Sequence, residues 1–191
     1  MKRAQLWHAI RAACAILDRD GVIVLGSQAI LGVYQEDELP PEATRSMEVD
    51  ILARGASQEE TAQNADRLTG AAGELSPFDA THGFHLDGVD DLTAALPRGW
   101  ESRLVEASNP ATYDVALRRQ FTGWCLDPHD LCAAKLIAFR EKDQRFVRAL
   151  VESGLVDADL VATRLQDMPQ AHGDQAATAT PWLRSIPSRG A

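Results

Sequence analysis

No stretch of this sequence approaches the roughly 20 consecutive apolar residues that a membrane-spanning helix needs. No membrane association is expected on that ground. The N-terminus, MKRAQLWHAIRAACAIL, begins basic and turns apolar as a signal peptide does. His8 and Arg11 interrupt it, and Asp18, Arg19 and Asp20 stand where a small-residue cleavage site belongs. Cysteine is scarce: Cys14, Cys125 and Cys132, with no C-x-x-C pair. That argues against a disulfide framework and a thiolate zinc site, and for three small buried hydrophobes in a reducing cytoplasm. His8, His82, His85, His129 and His172 are scattered, without the H-x-x-x-H or H-x-H spacing of a zinc site. G-x-S-x-G and G-x-G-x-x-G are both missing, which disfavours a serine-hydrolase elbow and a dinucleotide site. Positive charge is in deficit: 19 Lys and Arg against 28 Asp and Glu, a formal net charge of -9. Such a field opposes broad binding to nucleic acid. What positive charge there is gathers in the second half, at Arg118, Arg119, Arg140, Lys142, Arg145 and Arg148.

What the chain does have is an ordinary globular balance over 191 residues, 45% hydrophobic and 25% charged. That suffices for one sizeable core. Leu6, Ile10, Ala13 and Leu17 recur at helical spacing, so residues 3–18 are read as an amphipathic helix. Residues 22–25, VIVL, form a β-branched buried strand. Gly26-Ser27 ends it, and SQAILGVY opens a helix with Ser27 near its N-cap. Residues 35–43 are an acidic, Pro-containing loop, and 47–53, MEVDILA, a second strand. Ser57 and Glu60 make a capping box for a helix over 57–72. Further strands are expected at 84–89, 103–107 and 121–126. Asp127-Pro128 starts a helical segment over 128–152, continuous or broken once. A short helix follows over 157–165. From Pro169 the composition predicts a mobile tail.

Two signals carry chemistry. After a strand, Gly26-Ser27 lets phosphate approach the backbone closely. In Glu48-Val49-Asp50-Ile51-Leu52, alternation points both carboxylates to one strand face, about 7 Å apart at the backbone, with Val49 and Ile51 in the core. Two carboxylates so placed can share divalent metal, which phosphoryl transfer uses to neutralise a triphosphate. Thr44, Arg45 and Ser46 add a cation and two hydroxyls beside them. Asp87 is the candidate for a third acid, with a turn-forming Asp-Gly as the rival explanation.

The order strand, Gly-Ser, helix, loop, then acid-apolar-acid on a strand resembles the polymerase-β-like nucleotidyltransferase superfamily. Lys135, Phe139, Arg140, Lys142 and Asp143 resemble a segment of its bacterial AbiEii-type, toxin–antitoxin-associated group. The resemblance covers residues 20–165. PRGWESRL (97–104) also looks like part of that group, with no chemistry attached to it. Two departures stand out: twenty residues separate Ser27 from Glu48, and Glu48 stands where Asp is usual.

The resemblance implies an α/β (α+β) fold: a small mixed sheet with flanking helices and a helical C-terminal half. The core would span 1–126, the helical part 127–168, and a flexible tail 169–191. It implies that Gly26, Ser27, Arg45 and Lys135 bind nucleotide and that Glu48 and Asp50 hold Mg²⁺ or Mn²⁺. Asp143 would position or deprotonate an acceptor. On one continuous helix, Lys135 and Asp143 would lie roughly 12 Å apart, too far for an ion pair. The reaction would move NMP from an NTP to a hydroxyl of a tRNA, a protein or a small molecule, with a cognate toxin or antitoxin as possible partner. The alternative is a non-catalytic module or antitoxin of the same fold acting through a protein partner.

Overall fold

The computed structural model describes residues 1–90 and 94–187. In it α1 (Arg3–Leu17) buries Leu6, Ile10, Ala13 and Leu17 as the spacing predicts. Each fully buried Leu or Ile contributes about 1.5–3 kcal/mol. Strand β1 (Gly21–Val24) follows. Ser27–Gly32 then forms a 3₁₀ segment with Gly26 as its N-cap, where the sequence predicted the first turns of an α-helix. Residues 35–43 are not loop throughout, because Pro41 starts α2 (Pro41–Thr44).

Next come β2 (Glu48–Leu52), α3 (Gln58–Ala72), α4 (Pro77–His82) and β3 (His85–Val89). Ser57 caps α3 by accepting from Glu60 N–H at 3.2 Å. Beyond β4 (Val105–Ala107), a small hairpin pairs β5 (Tyr113–Asp114) with β6 (Arg119–Gln120), and β7 (Thr122–Cys125) returns to the main sheet. The order is β3-β2-β1-β7-β4. The β2–β3 and β1–β7 pairs are parallel, and the β1–β2 and β4–β7 pairs antiparallel. This is the mixed α/β fold expected from the sequence. Val22, Val24, Val49, Ile51 and Leu86 are buried on the sheet face that α1 covers. The other face carries Glu48 and Asp50.

Asp127 caps α5 (Pro128–Ala138), accepting from His129 N–H at 2.9 Å and Asp130 N–H at 3.3 Å. The helix stops at Phe139, which adopts a left-handed conformation (φ 50°, ψ 25°). That geometry costs a non-glycine residue roughly 1–2 kcal/mol. Two contacts offset the cost: Gln144 Nε2 donates to the Phe139 carbonyl at 2.9 Å, and the Trp182 ring meets the Phe139 ring edge-on at 5.7 Å. Helix α6 (Glu141–Glu152) then folds back on α5, followed by α7 (Ala158–Gln166). The segment 128–152 is therefore broken once, and the distance expected between Lys135 and Asp143 on one helix does not apply.

The expected mobile tail is a helix over much of its length. Helix α8 (Gly173–Arg184) packs on α5 and α7 and buries Ala176, Ala179 and Leu183. Its apolar face is mostly alanine, which no hydrophobic pattern displays. Residues 188–191 of that tail lie outside the described residues.

PRGWESRL acquires a structural role. Trp100 is buried, and Arg103 grips the fully buried Asp130 of α5 with Nε at 2.8 Å and Nη2 at 3.1 Å. Arg164 of α7 reaches the same carboxylate at 2.9 Å. All three cysteines are free and buried. Burial pushes each thiol up to about 12, so none is a ready nucleophile.

Candidate active site

Strand register assembles the acids. Glu48 and Asp50 share a face of β2, and Asp50 stands opposite Asp87 in the parallel β2–β3 pair. One carboxylate oxygen from each of Glu48, Asp50 and Asp87 lies within 4.8 Å of the others. The longer Glu48 side chain thus still reaches the common point. Asp87-Gly88 is not a turn but part of β3. Gly88 is small there because α3 presses on the strand: a Cβ at Gly88 would lie 2.2 Å from the Ala65 carbonyl oxygen. Thr69 of α3 donates to Asp87 Oδ1 at 3.2 Å and fixes that carboxylate.

Gly26 is required by proximity rather than by its dihedral angles. A Cβ on it would sit 1.5 Å from Asp50 Oδ2. The Gly-Ser loop and the acid pair are therefore in contact, with no room for a methyl group between them. Gly26→Ala is expected to displace the Asp50 carboxylate by about 1 Å or more, a shift that costs on the order of 100-fold where geometry is strict. Nucleotide-dependent activity measured beside a thermal melt checks this. Full activity in a normally folded variant would show that the contact is dispensable.

The carboxylates repel one another. Asp50 is largely buried, and burial first, then Glu48, raise its carboxyl from 3.8 to about 6. Lys135 pulls the other way, and Asp87 adds to the rise. A cation held among the three oxygens would relieve that repulsion. The donor set is all carboxylate oxygen, without nitrogen or sulfur, which suits Mg²⁺ or Mn²⁺.

Across the cleft, Lys135 is held by two groups. Its Nζ lies 3.1 Å from Asp143 Oδ1 and 4.7 Å from the centroid of the Phe146 ring. Asp143 is buried and spends its other oxygen on Arg140 Nε at 2.7 Å. The break at Phe139 is what brings Asp143 back onto Lys135.

Two chambers meet here. The larger, about 620 Å³, contains Gly26, Asp50 and Asp87, with α5 as part of its wall. The smaller, about 260 Å³, gathers the cations Arg45, Lys135, Lys142 and Arg145 against the carboxylates of Glu42, Glu48 and Asp143. Ser27, Glu48, Lys135, Lys142 and Asp143 line both. The long segment between Ser27 and Glu48 supplies Glu42, Arg45 and Ser46 to the smaller chamber, and α2 within it packs on α6. Gln28 Nε2 donates to the Ser46 carbonyl at 3.0 Å and ties the 3₁₀ segment to this wall.

Residues 4–179 match the model of a family described as nucleotidyltransferase of unknown function (DUF6036). The chain belongs to this nucleotidyltransferase family. No curated protein and no solved structure matches it. The nucleotidyltransferase family implies an NTP as substrate and a divalent metal. No helix among the described residues is long and apolar enough to cross a membrane.

Of the residues singled out from the sequence of this nucleotidyltransferase, Gly26, Ser27, Arg45, Glu48, Asp50, Asp87, Lys135 and Asp143 line one chamber or both, whereas Thr44 and Phe139 are not among the lining residues. Sequence reasoning gave Lys142 and Arg145 no place in the site and missed Phe146, His172 and Gln175. Lys142 and Arg145 stood in the basic cluster it had noticed, but only the fold-back of α6 shows which way they face.

Proposed function

We propose that the protein transfers an NMP group from an NTP to an acceptor hydroxyl, with Mg²⁺ or Mn²⁺ held by Glu48, Asp50 and Asp87. The convergence of three carboxylates on a Gly-Ser loop, opposite a lysine, carries this reading. When bound, the metal neutralises triphosphate charge and the charge that develops on departing pyrophosphate. Gly26 presents its backbone to phosphate with no side chain in the way. Ser27 and Lys135, which line both chambers, face the point where the Pα–O bond to pyrophosphate breaks and the bond to the acceptor oxygen forms. Arg45, Lys142 and Arg145 make the small chamber a fit for the leaving pyrophosphate.

Asp143 has both oxygens engaged by cations, so its role in this reading is to position Lys135 and Arg140, and the acceptor's proton passes to a carboxylate of the Glu48, Asp50 and Asp87 cluster. The acceptor is a hydroxyl of RNA, protein or a small molecule. The Lys135–Asp143 stretch supports placing the protein near AbiEii-type toxins, in a toxin–antitoxin setting.

The test is transfer of label from each α-labelled NTP to total RNA and to protein, with Mg²⁺ or Mn²⁺. Lys135→Ala should lower transfer on the order of 100-fold while weakening NTP binding only modestly, because a cation at the reacting phosphate counts most in the transition state. Labelling by the wild type that Lys135→Ala leaves intact would remove Lys135 from the mechanism. NTP binding without any labelling would favour a non-catalytic module.

A further inference from the structure

The two chambers differ in chemistry, and the difference divides a nucleotide. The small one sets Arg45, Lys142 and Arg145 beside Glu42, Glu48 and Asp143, with Phe146 its one apolar residue among the described residues. The large one has more than twice the volume and, beside its acids and cations, an apolar stretch. Much of that stretch is one face of α5: Leu131, Ala134 and Ala138 recur at i, i+3 and i+7, with Lys135 at i+4 on the same stripe. The same helix face therefore presents a cation to phosphate and a low wall of alanines beside it. Ala94 and Ala95 contribute two more small side chains to the chamber. Small apolar walls leave a slot into which a planar ring fits. Polar groups on its rim fix the ring's orientation.

The rim groups come from the C-terminal helix. His172, at the N-cap of α8, is half-buried, and Gln175 in its first turn is exposed; both line the large chamber. A glutamine amide carries a donor and an acceptor side by side, and an imidazole offers one of each, the complement of a base edge. Among the described residues, neither side chain has a hydrogen-bond or ion-pair partner.

We propose that the apolar part of the large chamber is a nucleobase slot, and that His172 and Gln175 of the C-terminal helix select the base. This deepens the transferase reading and rests on it. The polyphosphate then extends past Ser27 and Lys135 into the small chamber. The acceptor shares the large chamber, on the carboxylate side.

Binding of Mg²⁺-tripolyphosphate separates the two readings, because it has phosphates but no base. Titration calorimetry on the full chain should compare it with Mg²⁺-ATP, GTP, CTP and UTP. One NTP should bind at least about ten-fold tighter than tripolyphosphate. Gln175→Ala and His172→Ala should narrow the spread among the four NTPs by about five-fold or more, with tripolyphosphate affinity unchanged. Ala138→Trp, at an exposed site on the α5 stripe, should block NTPs and spare tripolyphosphate. If all NTPs bind like tripolyphosphate, or the ranking survives in both rim variants, the slot is refuted while the phosphate site stands. If tripolyphosphate and NTPs both fail to bind, the transferase reading and the slot fall together.

Discussion

Replacing Asp50 by asparagine will abolish metal-dependent nucleotide transfer and at the same time make the ligand-free protein more stable. Asp50 has its carboxyl raised from 3.8 to about 6 by burial and by Glu48. Between those values the unfolded chain has released the proton while the folded chain still holds it. Stability therefore falls as pH rises through this window, and above it the full penalty is present. A rise of about two pH units corresponds to about 3 kcal/mol. The amide in Asp50→Asn does not titrate, so the variant should exceed the wild type by about 2–3 kcal/mol at pH 7.5 and match it near pH 4. For a chain of this size the gain is a rise in Tm of about 5–10 °C at pH 7.5. Metal should narrow the gap by stabilising the wild type alone. Melting curves at the two pH values, with and without Mg²⁺, read all of this. Equal melting temperatures at pH 7.5 without metal would mean that the carboxylates are better solvated than their packing implies.

The largest loss of stability is expected at Asp130. Its carboxylate is fully buried and receives Arg103 in a two-pronged grip and Arg164 from the other side. Those contacts tie the 97–104 segment and α7 to α5. Arg103 Nη2 also donates to the Arg98 carbonyl at 3.1 Å, and Arg98 N–H donates to the Asp167 carbonyl at 2.9 Å. Asp130→Ala leaves two partly buried guanidiniums without their anion. Breaking a buried ion pair from one side costs about 3–5 kcal/mol. Urea unfolding followed by circular dichroism gives the number. A loss under about 1 kcal/mol would show that both arginines reach water once released. Because α5 also carries Lys135, activity should fall with stability in this variant, whereas in Asp50→Asn the two move in opposite directions.

The contrast between these sites tracks what the sequence displayed. Glu48 and Asp50 were legible because alternation on a strand is a strict period, and Val49 and Ile51 marked which face was core. Ser57 and Asp127 were legible as caps, since capping is local chemistry. Asp87 could only be guessed, because its place beside Asp50 depends on the register of two strands joined by α3 and α4. The Lys135–Asp143 pair was misjudged for a different reason. The chain reverses at Phe139, a residue that rarely takes a left-handed conformation, without the glycine that normally announces one. Helix α8 hid its buried face behind Ala176 and Ala179 and carries Pro181 inside it. The long segment before Glu48 read as a departure from a compact motif, yet it supplies residues of the smaller chamber.

The strand order also sets the sequence of events when the chain folds. The carboxylate wall needs β2 and β3, and the Lys135 wall closes on itself between residues 135 and 146. The second is local, and the first closes over the α3–α4 connection alone. The two face each other only after β1 pairs with β7, matching Gly21 with Thr122 across most of the chain. Long-range parallel pairing is slow because loop closure precedes its reward. A growing polypeptide will thus carry its phosphate loop, Arg45 and all three acids for about 2–10 seconds before Lys135 is made, at typical synthesis rates of about 5–20 residues per second. Triphosphate binding should accordingly appear in refolding experiments as a late phase, after most helical signal has returned, and truncated products ending before β7 should be inert toward nucleotides.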